Sequence, residues 1–358
     1  MEKQNTINLS FKLILWMMLG WGLGNLMMKY QPQWLDWLEK AQIKPIKLNI
    51  PVSILIFLLI FFWAIQMDIK RIKDSMKEPI YFLLLPLIQV ILKPLLIYLL
   101  HALWFYFVLI RWQEPKTLST YLLVFTIIGS STSGIILSDY LNQEKNLDES
   151  KNDQLQILFN SILLGLFFVP LLKVFHLLNE RSIVDPLLKG NGRMKGPSTI
   201  QLYLSIGIYV ILPILLAIGL RFFVEKRKGR PFVLNKLVPV FNSIRAICYI
   251  VLFTFIFGMN HAITFIDLMT IGFVIVPLLI SWLILFFITF LIARNKRITI
   301  KTPFILSASS FFFEFTLGVV ILFVGLKHVI LFVPVFALLL EVILIVIFNR
   351  IVDRFSSK

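Results

Sequence analysis

Ser307, Ser310 and Glu314 fall at i, i+3 and i+7 of one apolar run, a spacing that puts two hydroxyls and a carboxylate on one helix face. Such a face can hold a cation, take up a proton or hydrogen-bond a small polar solute. Glu314 lies in the middle of the run, where a carboxylate costs about 2.5 to 3.5 kcal/mol even on lenient insertion scales, so it must meet a partner or a cavity. Gln89 and Lys93 share a face at i and i+4 in another apolar run, and Lys93 lies too near its centre to snorkel easily. Two readings of Lys93 and Glu314 stand open: an ion pair that ties parts of the protein together, or the marks of an ion or proton pathway. Asp139, Asn160 and Ser161 complete the inner polar set. Arg245 and Glu341 fall outside it, because Arg245 can reach the cytoplasmic interface and Glu341 has no polar stripe beside it.

The elements that position these residues have to be membrane spans. The 358 residues are 58% hydrophobic and 15% charged, with mean hydropathy +0.87, more apolar surface than a soluble core can take up. Spans of about 20 residues account for it. The predicted ten run Leu9 to Met28, Ile50 to Met67, Pro79 to Ile110, Leu118 to Leu141, Leu155 to Leu178, Thr199 to Phe223, Val238 to Met259, Phe265 to Ala293, Pro303 to Gly325 and His328 to Phe348. The third reads as one tilted helix bent at Pro86 and Pro94. The first, preceded by Lys3 and Lys12, has no small-x-small cleavage pattern after it and is read as a span rather than a signal peptide.

Lys and Arg outnumber Asp and Glu by 35 to 19, a net charge of +16. The basic residues sit in short loops between apolar runs, so they report topology and not nucleic-acid binding. Lys70, Arg71, Lys73 and Lys77 after span 2, and Lys226, Arg227, Lys228 and Arg230 after span 6, place both termini in the cytoplasm, with the protein in the cell membrane.

The linker at 181–198 divides the chain into five-span halves, 1–180 and 199–358. If the halves are related, an odd number of spans inserts the second in inverted orientation, and that plan places broken helices at matching positions. Gly129 to Gly134, containing Ser130, Ser131, Thr132 and Ser133, lies mid-membrane in span 4, and Ser307 to Ser310, containing Ser309, in span 9. Small hydroxyl residues let a helix unwind at depth, though they also serve as close-packing helix interfaces. The expected fold is all-α, with ten helices in two inverted repeats and interrupted helices 4 and 9 crossing at the midplane. Candidate substrate-binding residues are Ser130, Ser131, Thr132, Ser133, Asn160, Ser309 and Ser310; candidate ion-coupling residues are Glu314, Lys93, Asp139 and Gln89. One cysteine, Cys248, and four scattered histidines give no metal-ligand spacing, and no nucleophile elbow or His-Glu-x-x-His appears, so neither cofactor nor enzymatic activity is expected.

Leu137-Ser138-Asp139 closing span 4, Phe159-Asn160-Ser161 with Pro170, Pro213 to Arg221, Ser307 to Ser310 through Phe313-Glu314, and Leu340-Glu341-Val342 occur in an order that resembles the bile/arsenite/riboflavin transporter superfamily, most closely its arsenite efflux permease branch. The resemblance covers nearly the whole chain. It implies two inverted five-helix repeats, a substrate site where helices 4 and 9 cross, and secondary transport. The arsenite branch is similar in exporting trivalent arsenic or antimony, coupled to protons; the bile acid branch imports organic anions with sodium. Where the arsenite branch has a span 4 cysteine, this chain has Ser130, and where that branch reads Asn-Asn-Phe-Glu in span 9, it has Phe311-Phe312-Phe313-Glu314. Lys93 stands where relatives carry a small residue just before the span 3 proline, here Pro94. The expected function is a proton-linked secondary transporter of a small solute with Glu314 as its coupling carboxylate. An organic-anion or small-metabolite transporter and a non-transporting membrane sensor are the alternatives.

Overall fold

A computed structural model describes residues 2–43, 48–66, 84, 87–107, 124, 127–128, 168–170, 198–261, 265–295, 304–306 and 310–356. The described chain is an all-α polytopic membrane protein. Its helices are α1 (Glu2–Tyr30), α2 (Pro32–Lys40), α3 (Ile50–Ala64), α4 (Lys93–Phe107), α5 (Thr199–Ile206), α6 (Leu212–Lys228), α7 (Val238–Met259), α8 (Phe265–Asn295), α9 (Phe313–Val324) and α10 (Phe332–Ser356). Five helical stretches among the described residues are long and apolar enough to cross a membrane: Phe11–Tyr30, Thr199–Lys228, Arg230–Met259, Ile271–Arg294 and Val329–Val352. Ile50–Ala64, Ile88–Trp104 and Phe313–Val324 are shorter apolar helices. They coincide with eight of the predicted spans; predicted spans 4 and 5 lie almost wholly outside the described residues. Phe11, Met18, Trp21, Leu215 and Phe222 stay exposed on these helices, as residues facing lipid do.

Prolines shape the spans in one repeated way. A five-residue π turn precedes each of Pro94, Pro213 and Pro239: Ile88–Leu92, Gly207–Ile211 and Val233–Leu237. In each, the residue just before the proline donates its amide five residues back, Lys93 to Ile88, Leu212 to Gly207 and Val238 to Val233. The ring cannot donate and would strike the carbonyl four residues earlier, so the helix widens by one residue instead of breaking. The predicted bend at Pro94 is therefore a π turn ahead of it. The polar loop expected after span 6 is also mostly helical: Gly229, at φ +79°, interrupts it, and a helical turn Arg230–Phe232 leads through the π turn into α7.

The connection between α1 and α3, expected as a plain loop, holds α2 and a hairpin of β1 (Gln42–Ile43) and β2 (Leu48–Asn49), with Gln42 opposite Asn49 and Ile43 opposite Leu48. Leu35 and Leu38 of α2 are buried while Trp34 and Trp37 face outward, the amphipathic division of a helix lying along a membrane surface. Asn49 caps α3 by accepting from the Val52 amide (3.1 Å) and ties it to α2 by donating to the Leu38 carbonyl (2.7 Å). Lys327, between α9 and α10, bridges Glu39 (2.6 Å) and Asp36 (3.3 Å), and Glu39 first, then Asp36, holds its ammonium above the ordinary lysine value. At the far end of α3, the buried Arg221 of α6 donates to the Ile65 carbonyl (3.1 Å) and to Glu225 (2.7 Å), and Gln66 donates to Asn242 (2.8 Å).

Candidate functional site

Helical backbone at 304–306 gives way to a non-helical stretch at 310–312, after which α9 begins at Phe313. The predicted interruption of span 9 is therefore present. Ser310 lies in this non-helical stretch and Glu314 in the first turn of α9, so these two do not share the continuous helical face expected of them, while Ser307 lies outside the described residues. Broken backbone at this depth must find partners within the protein. Two charged side chains supply them. The Lys93 ammonium, from the start of α4, donates to the Ser310 carbonyl, and the Phe311 amide donates to Glu341 Oε1 of α10 at 3.1 Å. Carbonyl and amide belong to the same peptide group, so a base and an acid grip its two ends.

Glu314 lies in the first turn of α9, where the positive end of the helix dipole favours a carboxylate. Tyr249 of α7 donates its hydroxyl to Glu314 Oε1, and Trp16 of α1 stacks on the Tyr249 ring at 5.5 Å and 12°. α1 reaches α7 this closely because Gly20 and Gly24 have no side chains: a Cβ on Gly24 would lie 2.7 Å from the Gly258 amide nitrogen and 2.8 Å from the Thr254 carbonyl. The aromatic run at the break packs outward onto neighbouring helices. Phe311 stacks on Trp282 of α8, and Phe313 meets Phe253 of α7 with centroids 6.1 Å apart. Gly318, farther along α9, lies where a Cβ would be 2.8 Å from the Tyr209 ring and 2.9 Å from Ile56.

Of the predicted site residues, Gln89, Lys93, Ser310 and Glu314 are described, and all four are fully buried. Lys93 and Ser310 meet directly. Ser130, Ser131, Thr132, Ser133, Asp139, Asn160 and Ser309 lie outside the described residues. Glu341 corrects the reading that set it apart: it is buried to 1% exposure and bonded to the break. Tyr249 is a second residue that sequence reasoning missed. Its signal was a phenol in mid-span, one helical turn after Arg245. Glu341 has no polar stripe beside it on span 10 because it takes its hydrogen bond from span 9. The arrangement can hold a proton or a cation at a helix break and change its affinity when the break rearranges.

No protein-family model matches the chain. The arsenical-resistance protein Acr3 of Alkaliphilus metalliredigens is 21% identical over 325 residues, 90% of this chain and 85% of the relative. An uncharacterized transporter of Synechocystis sp. is 23% identical over 363 residues, covering 94% of this chain and 89% of the relative. Both likenesses cover most of the chain and, with the apolar helices, support a membrane transporter that is similar to the arsenite efflux permease type.

Proposed function

We propose that the protein is a proton-linked secondary transporter that exports arsenite or antimonite across the cell membrane, with Glu314 as the coupling carboxylate. The observation that carries the reading is two buried carboxylates, Glu314 and Glu341, beside one buried ammonium, Lys93, at a helix break. Two acids against one base make a set that is neutral when it holds one proton. Glu314 is the member suited to exchange that proton, because its carboxylate binds the Tyr249 hydroxyl, while Glu341 is committed to the Phe311 amide. Protonation of Glu314 weakens its hold on Tyr249 and its repulsion of Glu341, loosening α9 against α7 and freeing the break for substrate.

The two halves, 1–180 and 199–358, are inverted repeats of five helices each, and their rocking exposes the crossing of helices 4 and 9 to each side in turn. Ser130, Ser131, Thr132, Ser133, Asn160, Ser309 and Ser310 are the substrate ligands, with Asp139 and Gln89 assisting coupling. Hydroxyls in place of a thiolate fit trivalent arsenic or antimony as the neutral hydroxide. Likeness to the arsenical-resistance protein along 90% of the chain supports this substrate class.

Arsenite and antimonite uptake into everted vesicles, with and without a pH gradient, tests the reading. The gradient drives uptake in the wild type, and Glu314→Gln falls to the level of empty vesicles. Equal uptake by Glu314→Gln removes the coupling role. Absence of metalloid uptake by inserted, folded protein, with uptake of an organic anion instead, replaces the substrate class and makes Lys93 its counter-charge.

A further inference from the structure

The connection from α6 to α7 carries Lys226, Arg227, Lys228, Arg230 and Lys236 in a stretch that holds no acid. The carboxylate just before it, Glu225, is taken by the buried Arg221 at 2.7 Å. Membrane topology asks only that such charges stay outside the hydrocarbon, where a lysine in a loop extends into water. Here the cations are held against the protein. The chain is helical on both sides of Gly229, and the Arg227 guanidinium lies 4.2 Å over the Phe223 ring. Lys228 and Lys236, from either side of that glycine, lie 4.6 and 5.9 Å from the centre of one ring, Phe232. Lys226, Arg227, Lys228 and Lys236 are exposed and form no ion pair among the described residues. Leading up to Arg227, one face of α6 is apolar and bare. Leu212, Leu216, Leu220, Phe223 and Arg227 follow at intervals of four, four, three and four residues, which is one stripe of a helix, and all five are exposed. Leu216 and Arg227 are eleven residues or about 16 Å apart at 1.5 Å per residue, the depth of one leaflet of a hydrocarbon core about 30 Å thick.

We propose that the α6–α7 connection binds an anionic phospholipid, with its phosphate on Arg227, its negative charge balanced by Lys228 and Lys236, and an acyl chain along Leu216, Leu220 and Phe223. A guanidinium stacked on a ring uses its face and leaves its N–H edge for two bonds to a phosphate. The charge of the cluster selects the headgroup: a zwitterionic lipid brings an ammonium that these cations repel, and a net-negative one does not. The inference requires only that α6 crosses the bilayer, whichever solute is carried.

Purified protein in detergent is melted with added phosphatidylglycerol, with phosphatidylcholine at the same mole fraction, or with inorganic phosphate. Phosphatidylglycerol raises the melting temperature by several degrees and saturably, and the other two do not. Arg227→Gln combined with Lys228→Gln and Lys236→Gln raises the phosphatidylglycerol concentration for half the shift about tenfold or more, since each cation at the bilayer surface adds to the attraction. Lys29→Gln with Lys40→Gln, near the end where α2 meets α3, leaves that concentration unchanged, although Lys29 also lies over a ring, that of Tyr30. An equal shift in phosphatidylcholine overturns the proposal, because any lipid then suffices. So does a shift reproduced by inorganic phosphate, since the anion then needs no acyl chain. An unchanged titration in the triple variant, or an equal loss in the Lys29 and Lys40 control, removes the site from the α6–α7 connection. If the triple variant is not recovered folded, Arg227→Gln is titrated alone: a weaker response supports the site, and wild-type behaviour overturns it. The melts read lipid binding alone, so failed arsenite uptake with a positive melt overturns the substrate and spares the site.

Discussion

Four side chains decide the chemistry at the centre, and each answers a cost that the membrane imposes. Breaking α9 frees a carbonyl and an amide, which Lys93 and Glu341 satisfy; burying Glu314 requires a donor, which Tyr249 supplies. A hydrogen bond to a charged acceptor contributes about 1.5–3 kcal/mol, so Tyr249→Phe lowers stability by about that amount. A double-mutant cycle with Glu314→Gln, read by denaturant unfolding in detergent, returns a coupling energy above about 0.5 kcal/mol; additive effects would place the hydroxyl and carboxylate out of contact. Glu314 and Lys93 were legible in the sequence because the expense of burying a charge is visible in any apolar run. Glu341 carried the same expense, but the search for polar neighbours on its own helix hid it, since its partner is the Phe311 amide at the break. Tyr249 was less visible still, because a tyrosine in a membrane span can be an ordinary packing residue.

Helices position those side chains through small residues and prolines. α1 delivers Trp16 to Tyr249 only because Gly20 and Gly24 let it lie on the backbone of α7. Gly24→Ala would push a methyl against main-chain atoms that cannot rotate away, and overpacking of this kind costs about 1–3 kcal/mol. Gly22, where an added methyl would meet no atom within 4 Å, is the internal control. Gly22→Ala is neutral or gains about 0.5–1 kcal/mol from helix propensity. Thermal unfolding of the two variants side by side checks this, and equal losses would mean that α1 does not seat on α7. At this scale the long spans were legible because their apolar length alone identifies them. The π turns were not, because a proline signals that a helix must adjust without saying whether it bends, widens or stops. Nor was α2 legible, since it is only nine residues long with two of them buried, Leu35 and Leu38.

The molecule has two ends, and α3 fixes which residues lie at each. Its start is tied through Asn49 to α2, which is in turn bridged to Lys327. Its finish, 15 residues or about 22 Å away at 1.5 Å per residue, meets Arg221 and the Gln66–Asn242 pair. The first end carries the outward-facing Trp34 and Trp37, and the second leads into Lys226, Arg227, Lys228 and Lys236, with Arg227 over the Phe223 ring and Lys228 and Lys236 over that of Phe232. Positive residues are retained on the cytoplasmic side, so the expected orientation has the α6–α7 connection in the cytoplasm and the hairpin outside. In a Cys248→Ser background, which removes the buried native thiol, Gln42→Cys and Lys228→Cys report the two faces from exposed positions. A membrane-impermeant maleimide labels Gln42→Cys on intact cells and Lys228→Cys only after permeabilisation. The reverse pattern inverts the orientation. Labelling of both from one side would contradict the span of α3, because a helix held at opposite ends by these contacts cannot return its neighbours to the same surface.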